Sequence, residues 1–585
     1  MKKLLSMVLA VIMLITAMTT ATTAFAVEGD SISVSSQPSS GVSGNLSWSI
    51  TDGVLNITGK GDMLNYTSST VPWDLYSYPV YTINIADTVT SIGEYAFCYF
   101  DDVTQINLGK GIKKIGKKAF YSCDNITKIA IPSTVTYIGE DAFSYCDKLT
   151  SISTYAPITT GDYAFSYCET LQTVNIPKAK SIAQRTFAGC VNLKTANFGN
   201  ATLDKYVFGY SNSSVTSVTA GSLKEDALDD CIGLTKLNLK NARYIGNYAV
   251  SDCKNLTSVS SNAKTIGNYA FKNCISLKSV NFPYATVIGE YAFRENKNLQ
   301  TVKLGRIQTI KKYAFAECSA LRTVSGTSYL KKIEDSAFGM DVNLQSFGSA
   351  RRIQYIGDSA FYNCKKLKGS FNFSYVTYVG DSAFANCPNL TSTLNFTRVN
   401  KIGSSAFVNC RNVKANTLGV KLIELGSKAF VGCSKISQLY IPSCCKKFGY
   451  DIFPKKISSI SISSYGFMTY NYYTNGPKIA VCGVKNSEAQ RYAKLYKSSF
   501  RYAVTSIRTS RNSYSVSRGK TAKIGIYVNP SYASNRSVTL TTSNKNIATV
   551  NSKGYIKGIR KGKCTITIKS RDGSLKSKSV TVTVK

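Results

Sequence analysis

The chain has 585 residues, 71 Lys and Arg against 33 Asp and Glu, a formal charge of +38 and no histidine. Without histidine, Ser-His-Asp and Cys-His catalysis, His-ligated metals and His-based pH sensing are excluded. The length exceeds one ordinary core, so several domains or an array are expected.

Lys2 and Lys3, the apolar run Leu4–Ala17 and Ala24-Phe25-Ala26 read as a secretory signal over residues 1–26. The run is too short for a membrane span, so no transmembrane segment is expected in the mature chain. The expected location is secreted or extracellular. No cysteine sits at the signal, and no apolar tail or wall-sorting motif accompanies Ser579–Lys585, so cell-wall association would rest on charge. Residues 27–90 read as a Ser/Gly-rich start and a β-hairpin N-terminal cap. Leu46–Ile50 and Val54–Thr58 alternate around Asp52-Gly53, and Trp48 and Trp73 supply the cap's core.

From 91 to 453 the block I-G-x-x-A-F-x-x-C-x-x-L-x-x-V-x-I-P recurs, and a fixed period of this kind marks a solenoid. Its phase follows Phe97, Phe120, Phe143, Phe165, Phe187, Phe208, Leu228, Val250, Phe271, Phe293, Phe315, Phe338, Phe361, Phe384, Phe407 and Phe430, spaced 20 to 23 residues apart. Within a rung, Leu171-x-x-Val174-x-Ile176-Pro177 reads as a short strand ended by proline. Ile245-Gly246 reads as a tight return in which glycine relieves the backbone. The small Ala before each Phe reads as a short helical turn packed against the sheet. Acidic residues after the glycine (Glu94, Glu140, Glu290, Asp358, Asp381) would begin those turns. Residues 454–503 read as a C-terminal capping unit, with a strand at Lys478–Cys482 and an amphipathic helix at Ser487–Leu495. Residues 504–585 alternate in short runs separated by turn signals such as Asn529-Pro530, the pattern of a small β-sandwich.

The repeat resembles the BspA-like type of bacterial leucine-rich repeat, although rungs near Phe208 and Leu228 lack the preceding Ile-Gly, where local distortion is expected. The run Ser543–Val550, Gly554-Tyr555-Ile556 and Gly562–Ile566 is similar to a group 2 bacterial immunoglobulin-like domain. The fold class is therefore mainly β with short helical turns: a leucine-rich-repeat solenoid with a β-rich N-terminal cap, a C-terminal cap unit and a small Ig-like sandwich. The two resemblances imply a secreted or surface protein that attaches to a host or microbial surface protein or glycan.

Twelve of the 17 cysteines occupy one repeat position, from Cys123 to Cys433, and Ser211, Asn296 and Asp341 take it elsewhere. Exchange among these residue types points to a slot that satisfies a turn backbone, filled by buried, reduced thiols. Disulfides between adjacent rungs stay open on distance alone. No C-x-x-C is present, and no metal or cofactor is expected. The acidic cluster Glu225–Asp230 lacks the spacing of a calcium loop. Outward strand residues form a polar stripe suited to an extended ligand: Thr173, Asn175, Thr195, Asn197, Lys236, Asn238, Asn281 and Lys303. Tyr269 and Tyr291 belong to a second stripe with Tyr248 and Tyr313. The expected function is non-enzymatic adhesion or ligand binding, with protein, glycan or an anionic wall polymer as partner. Nucleic acid is not expected, because the basic residues are spread and no binding motif gathers them. The alternatives are a charge-retained structural wall protein and a polysaccharide-active enzyme.

Overall fold

The computed structural model describes residues 39–585 except 75–78, 210–213, scattered positions between 370 and 453, most of 453–499, and 573–575. The expected signal, Phe453 at the end of the expected array, and most of the capping unit with its helix lie outside the described residues. No helix among the described residues is long and apolar enough to cross a membrane.

The first elements are strands Ser40–Ser43, Leu46–Thr51 and Val54–Gly59. Asp52 and Gly53 turn the hairpin with φ of 50° and 73°, the left-handed pair that matches the twist of the flanking strands. Val54–Ile57 then pairs in parallel with Thr82–Ile85, so the hairpin is continuous with the first rung. Trp73 closes the apolar interior. It stacks on Phe97 at 5.7 Å, meets Trp48 edge-on at 6.4 Å, and its Nε1 donates to Ala96 O at 2.9 Å.

Most rungs contribute two strands, and among the described residues every pairing between rungs is parallel; between Phe347 and Gln438 only the series before the repeat glycine forms strands. One series carries the V-x-I segment, as in Thr173–Asn175, which pairs in register with Ser151–Ser153 and Thr195–Asn197. The other carries the residues before the repeat glycine, as in Thr265–Ile266, paired with Tyr244–Ile245 and Val287–Ile288. Alternation turns Val174, Ala196 and Val218 inward, and all are buried. Between the two sheets runs a file of phenylalanines. From Phe271 to Phe430 successive rings lie 5.0–5.6 Å apart and within 9° of parallel. One contiguous cluster of buried residues joins the cap to the last described rungs, as expected of units that bury apolar surface only against their neighbours.

The segment around each Ala-Phe is a run of turns. Tyr269 and Asn273, Tyr291 and Glu295, and Tyr313 and Glu317 all have φ between 54° and 66°. A left-handed residue every fourth position ends one turn before a helix can propagate. It also aims the amides between rungs: Tyr269 N donates to Glu290 O and Phe271 N to Ala292 O, both at 2.8 Å. The repeat glycine has a role different from the tight turn expected. Gly246, Gly267 and Gly289 do not adopt positive φ. A Cβ on Gly267 would instead lie 2.4 Å from Gly246 C, and one on Gly289 2.3 Å from Gly267 O. The position is glycine because neighbouring rungs touch backbone to backbone there.

Both strand series are interrupted where distortion is expected. One passes from Thr202–Leu203 to Tyr244–Ile245 only through single-residue bridges at Leu223. The other breaks between Lys236–Asn238 and Ser258–Ser260, with a lone bridge from Leu239 to Ser261. In the same stretch Leu228 and Val250 replace the stacked rings.

The C-terminal domain has its own core, built from Ile507, Val516, Val528, Ala548, Ile556, Ile566, Ile568, Val580 and Val582. Its largest sheet sets Gly562–Ser570 antiparallel to both Ser577–Val584 and Val538–Thr542. Two of the domain's strands, Thr521–Lys523 and Ile526–Asn529, are divided at Gly525.

Candidate binding surface

The polar stripe on the V-x-I strands is in register. Thr173, Thr195, Ser217 and Lys236 form one column, and Asn175, Asn197, Thr219 and Asn238 the next. Beyond the interruption, Ser260, Asn281, Lys303 and Ser325 continue as neighbours. Thr173, Asn175, Thr195, Lys236, Asn238 and Lys303 are exposed, while Asn197 and Asn281 are half-buried. Some of this hydrogen-bonding capacity is spent between rungs. Asn197 Nδ2 donates to Asn175 Oδ1 at 2.8 Å, and Asn281 Nδ2 to Ser260 Oγ at 3.3 Å. Thr173, Thr195, Lys236 and Lys303 therefore offer the freer groups.

Tyr269 and Tyr291 occupy a separate column. Tyr248, Tyr269, Tyr291 and Tyr313 stack at 4.6–4.8 Å and within 9° of parallel. Both ring faces of Tyr269 and Tyr291 are covered, so only their edges and hydroxyls are available. Burial, and then the adjacent phenols, push the Tyr248 and Tyr291 hydroxyls up, which keeps them neutral donors.

The cysteine slot is internal. Cys274 Sγ donates to Val250 O at 3.1 Å, Cys318 to Phe293 O at 3.1 Å and Cys433 to Phe407 O at 3.0 Å, each reaching back one rung. The described cysteines are unbridged and buried. Burial pushes the Cys98 and Cys433 thiols up to about 12. Asn296 fills the slot with Nδ2 donating to Phe271 O and Phe293 O, both at 2.8 Å. Asp341 fills it with Oδ1 accepting from Cys318 N at 2.8 Å. It is fully buried, and burial raises its carboxyl well above the ordinary range.

The acidic residues after the glycine stand at the start of the turns, as expected, and the carboxylates of several bond to the neighbouring rung. Asp335, Asp358 and Asp381 use Oδ1 to accept the backbone N–H of Asp358, Asp381 and Ser404 on the following rung. Glu140 instead pairs with Lys117 at 3.0 Å. In the cluster at 225–230, Glu225 and Asp226 face Lys205 at 2.8 and 3.8 Å. Burial, and then the charges of Asp226, Asp252 and Asp230, push Asp229 up to about 6. Among the described residues no His, Cys, Asp or Glu group is arranged to hold a metal.

One column escaped the sequence reading. At the corner between the two strand series, Tyr284, Arg306, Tyr329, Arg352, Tyr375 and Arg398 hold the same position on successive rungs, and all are exposed. Arg306 lies over Tyr284 at 5.8 Å, Arg352 over Tyr329 at 5.7 Å and Arg398 over Tyr375 at 4.8 Å. Stacking every column of the repeat, rather than its apolar ones alone, would have found it.

Comparison with known sequences bears on both parts of the chain. Residues 75–194, 180–300, 257–368 and 377–475 match the BspA type leucine rich repeat region, and residues 503–583 match the group 2 bacterial Ig-like domain. A leucine-rich repeat protein from Bacteroides ovatus is 19% identical, with 70% of this chain and 99% of that one covered and a TM-score of 0.33. A leucine rich cell surface protein from Faecalibacterium prausnitzii is 23% identical, covering 57% of this chain and 100% of that one, with a TM-score of 0.26. A kappa-carrageenase from Pseudoalteromonas carrageenovora is 39% identical over 70 residues, so the chain spans only 18% of that enzyme, and the match takes in 12% of this chain.

Proposed function

Because the chain belongs to the BspA-type leucine-rich repeat family, whose repeat spans most of residues 75–475, and also carries a group 2 bacterial Ig-like domain, we propose that it is a secreted or cell-surface, non-enzymatic adhesion protein. The solenoid of residues 91–453 supplies the recognition surface. Residues 27–90 and 454–503 cover its two ends, and residues 504–585 serve as spacer or second contact. The observation that carries this reading is the register of the V-x-I strands, which repeats hydroxyl, amide and lysine groups on one exposed face from rung to rung. An extended protein segment or glycan lying across that face meets the same chemistry at every step of about 4.8 Å.

Binding distributed in this way weakens gradually. Lys236→Ala is expected to change affinity less than about fivefold, since an exposed ionic contact contributes at most about 1 kcal/mol. Combined replacement of Thr173, Thr195, Lys236 and Lys303 by alanine is expected to cost more than about tenfold. The test is a binding screen of the mature protein against matrix proteins and glycans at low and high salt. Complete loss of binding from one peripheral substitution would contradict distributed recognition.

The charge of +38 favours a second reading, a structural protein held on the cell wall by anionic polymer. Release from washed cells by moderate salt supports it, and release only by wall digestion refutes it.

A further inference from the structure

The corner column has properties that packing does not require. Tyr284, Arg306, Tyr329, Arg352, Tyr375 and Arg398 each precede a residue sealed in the core: Ala285, Ile307, Leu330, Ile353, Val376 and Val399 are at most 1% exposed. Tight turns hold the backbone there, with Leu330 N donating to Thr327 O, Val376 N to Phe373 O and Val399 N to Phe396 O, each at 3.1 Å. One residue further on, rungs are tied by Gln308 N to Thr286 O, Lys331 N to Gln308 O, Gln354 N to Lys331 O and Thr377 N to Gln354 O, at 2.7–2.9 Å. The scaffold is fixed, while the tyrosine rings remain 47–48% exposed.

The charge at this corner is of one sign. Segments 281–287, 303–309, 325–332, 347–355, 371–378 and 393–401 contain no Asp or Glu; beside the three arginines of the column they carry Lys331 and Arg351, Lys303 at the edge of the strand face, and Lys332 and Lys401, which pair with Glu334 and Glu424. Among the described residues no carboxylate forms a salt bridge with Arg306, Arg352 or Arg398. A guanidinium beside a tyrosine ring and without a carboxylate salt bridge presents the planar N–H fork that takes a carboxylate or sulfate through two parallel hydrogen bonds.

The spacing narrows the ligand. Adjacent rungs are 4.7 Å apart at the neighbouring Tyr355–Tyr378 stack, so guanidinium groups on alternate rungs recur about every 9.5 Å. A β-strand presents same-face side chains about every 6.7 Å, and one DNA strand advances about 3.4 Å per phosphate. Neither matches. An extended disaccharide is close to this repeat, and the intervening tyrosines offer an apolar edge and a hydroxyl to the uncharged sugar. We propose that the Tyr284–Arg398 corner binds a linear polysaccharide bearing one carboxylate or sulfate on alternate sugars. This site is separate from the strand face and rests on the adhesive reading only in taking the protein to be a binder.

The test titrates the full chain with hyaluronan oligosaccharides of increasing length, which carry one uronate per disaccharide. Affinity should rise with length until the oligosaccharide spans the column, and should fall with salt. The triple variant Arg306→Ala, Arg352→Ala, Arg398→Ala should bind roughly thirtyfold more weakly with an unchanged melting temperature, since three exposed ionic contacts are removed. The triple Arg→Lys variant keeps the charge without the planar fork and should still lose about fivefold. Removing Lys545, Lys553 and Lys557 from the C-terminal domain lowers the net charge equally and should leave hyaluronan binding in place. Loss equal to that of the arginine variant would reduce the effect to net charge and overturn the proposal. So would unimpaired binding by the triple Ala variant, no binding at low salt, or tighter binding of either comparator. The comparators are single-stranded DNA and a polyproline II peptide with an acid at every third residue, whose repeat of about 9.3 Å is the nearest polypeptide match. Each of these outcomes leaves the strand-face screen to stand or fall separately.

Discussion

Asp341 is a buried carboxyl where other rungs place a thiol or an amide. Its Oδ1 accepts the Cys318 amide, and its Oδ2 has no hydrogen-bond partner. Burial first, and then the charge of Glu317, raise it, while the Cys318 amide acts the other way; the thiols of Cys318 and Cys364 also face it and are themselves raised. The folded carboxyl is therefore neutral well above the ordinary aspartate value, whereas the unfolded chain releases its proton near pH 3.9. Stability associated with the neutral form is fully present below that ordinary value. It is lost as pH rises toward the folded-state value, at about 1.4 kcal/mol per pH unit. Asp341→Asn removes the titration. By equivalence with Asn296, it also supplies a donor to the carbonyls of Phe315 and Phe338, each hydrogen bond contributing about 1 kcal/mol. The variant should already exceed the parent near pH 4, by about 2 kcal/mol from the two new hydrogen bonds, and the margin should widen toward neutral pH. Hydrogen exchange at the Cys318 and Phe338 amides, corrected for intrinsic rates, reads the local opening free energy of these rungs. A difference independent of pH, or a variant less protected than the parent at neutral pH, would refute the reasoning.

Other consequences are equally open to measurement. Phe293, fully buried and stacked between Phe271 at 5.1 Å and Phe315 at 5.0 Å, should cost about 3–5 kcal/mol when truncated to alanine, read by urea unfolding of the solenoid. Gly267→Ala should loosen exchange protection at the adjoining rungs even though alanine suits the backbone angles, because its methyl group would meet Gly246 at 2.4 Å. Cys274→Val should lose about 1–3 kcal/mol by leaving Val250 O without its donor, and Cys274→Ser less, as thermal denaturation would register. Alkylation at mildly alkaline pH should leave the native slot thiols unmodified until unfolding, with Cys98, more accessible than they are, reacting before them. Rapid native labelling of Cys433 would contradict its placement.

The phase of the array was legible because the Phe position tolerates little else, with Leu228 and Val250 its two departures in sixteen rungs. The rings fill the space between two sheets, so the residue type recurs and can be counted. The cysteine slot was legible for a related reason: Cys, Asn and Asp share the ability to satisfy a buried backbone group. Glycine was ambiguous, since a missing Cβ serves a left-handed turn and a close approach equally, and only coordinates separate Gly53, which turns, from Gly267, which is approached. The Tyr248–Tyr313 column was visible as a stripe, but face-to-face stacking depends on left-handed backbone angles that no residue type announces. The corner column stayed hidden because Tyr and Arg alternate, so no single letter repeats at the period.

Near residues 203–258 each strand series shrinks in turn to single-residue bridges, and the file of stacked rings lapses at Leu228 and Val250. In a chain whose cohesion passes only between adjacent units, the weakest coupling decides where it parts. Under tension the cap-side block and the block from Phe271 onward should let go of each other before either unravels. A protein held at one end and gripped at the other would then lengthen in a step at this joint, with the contact surfaces on both sides intact.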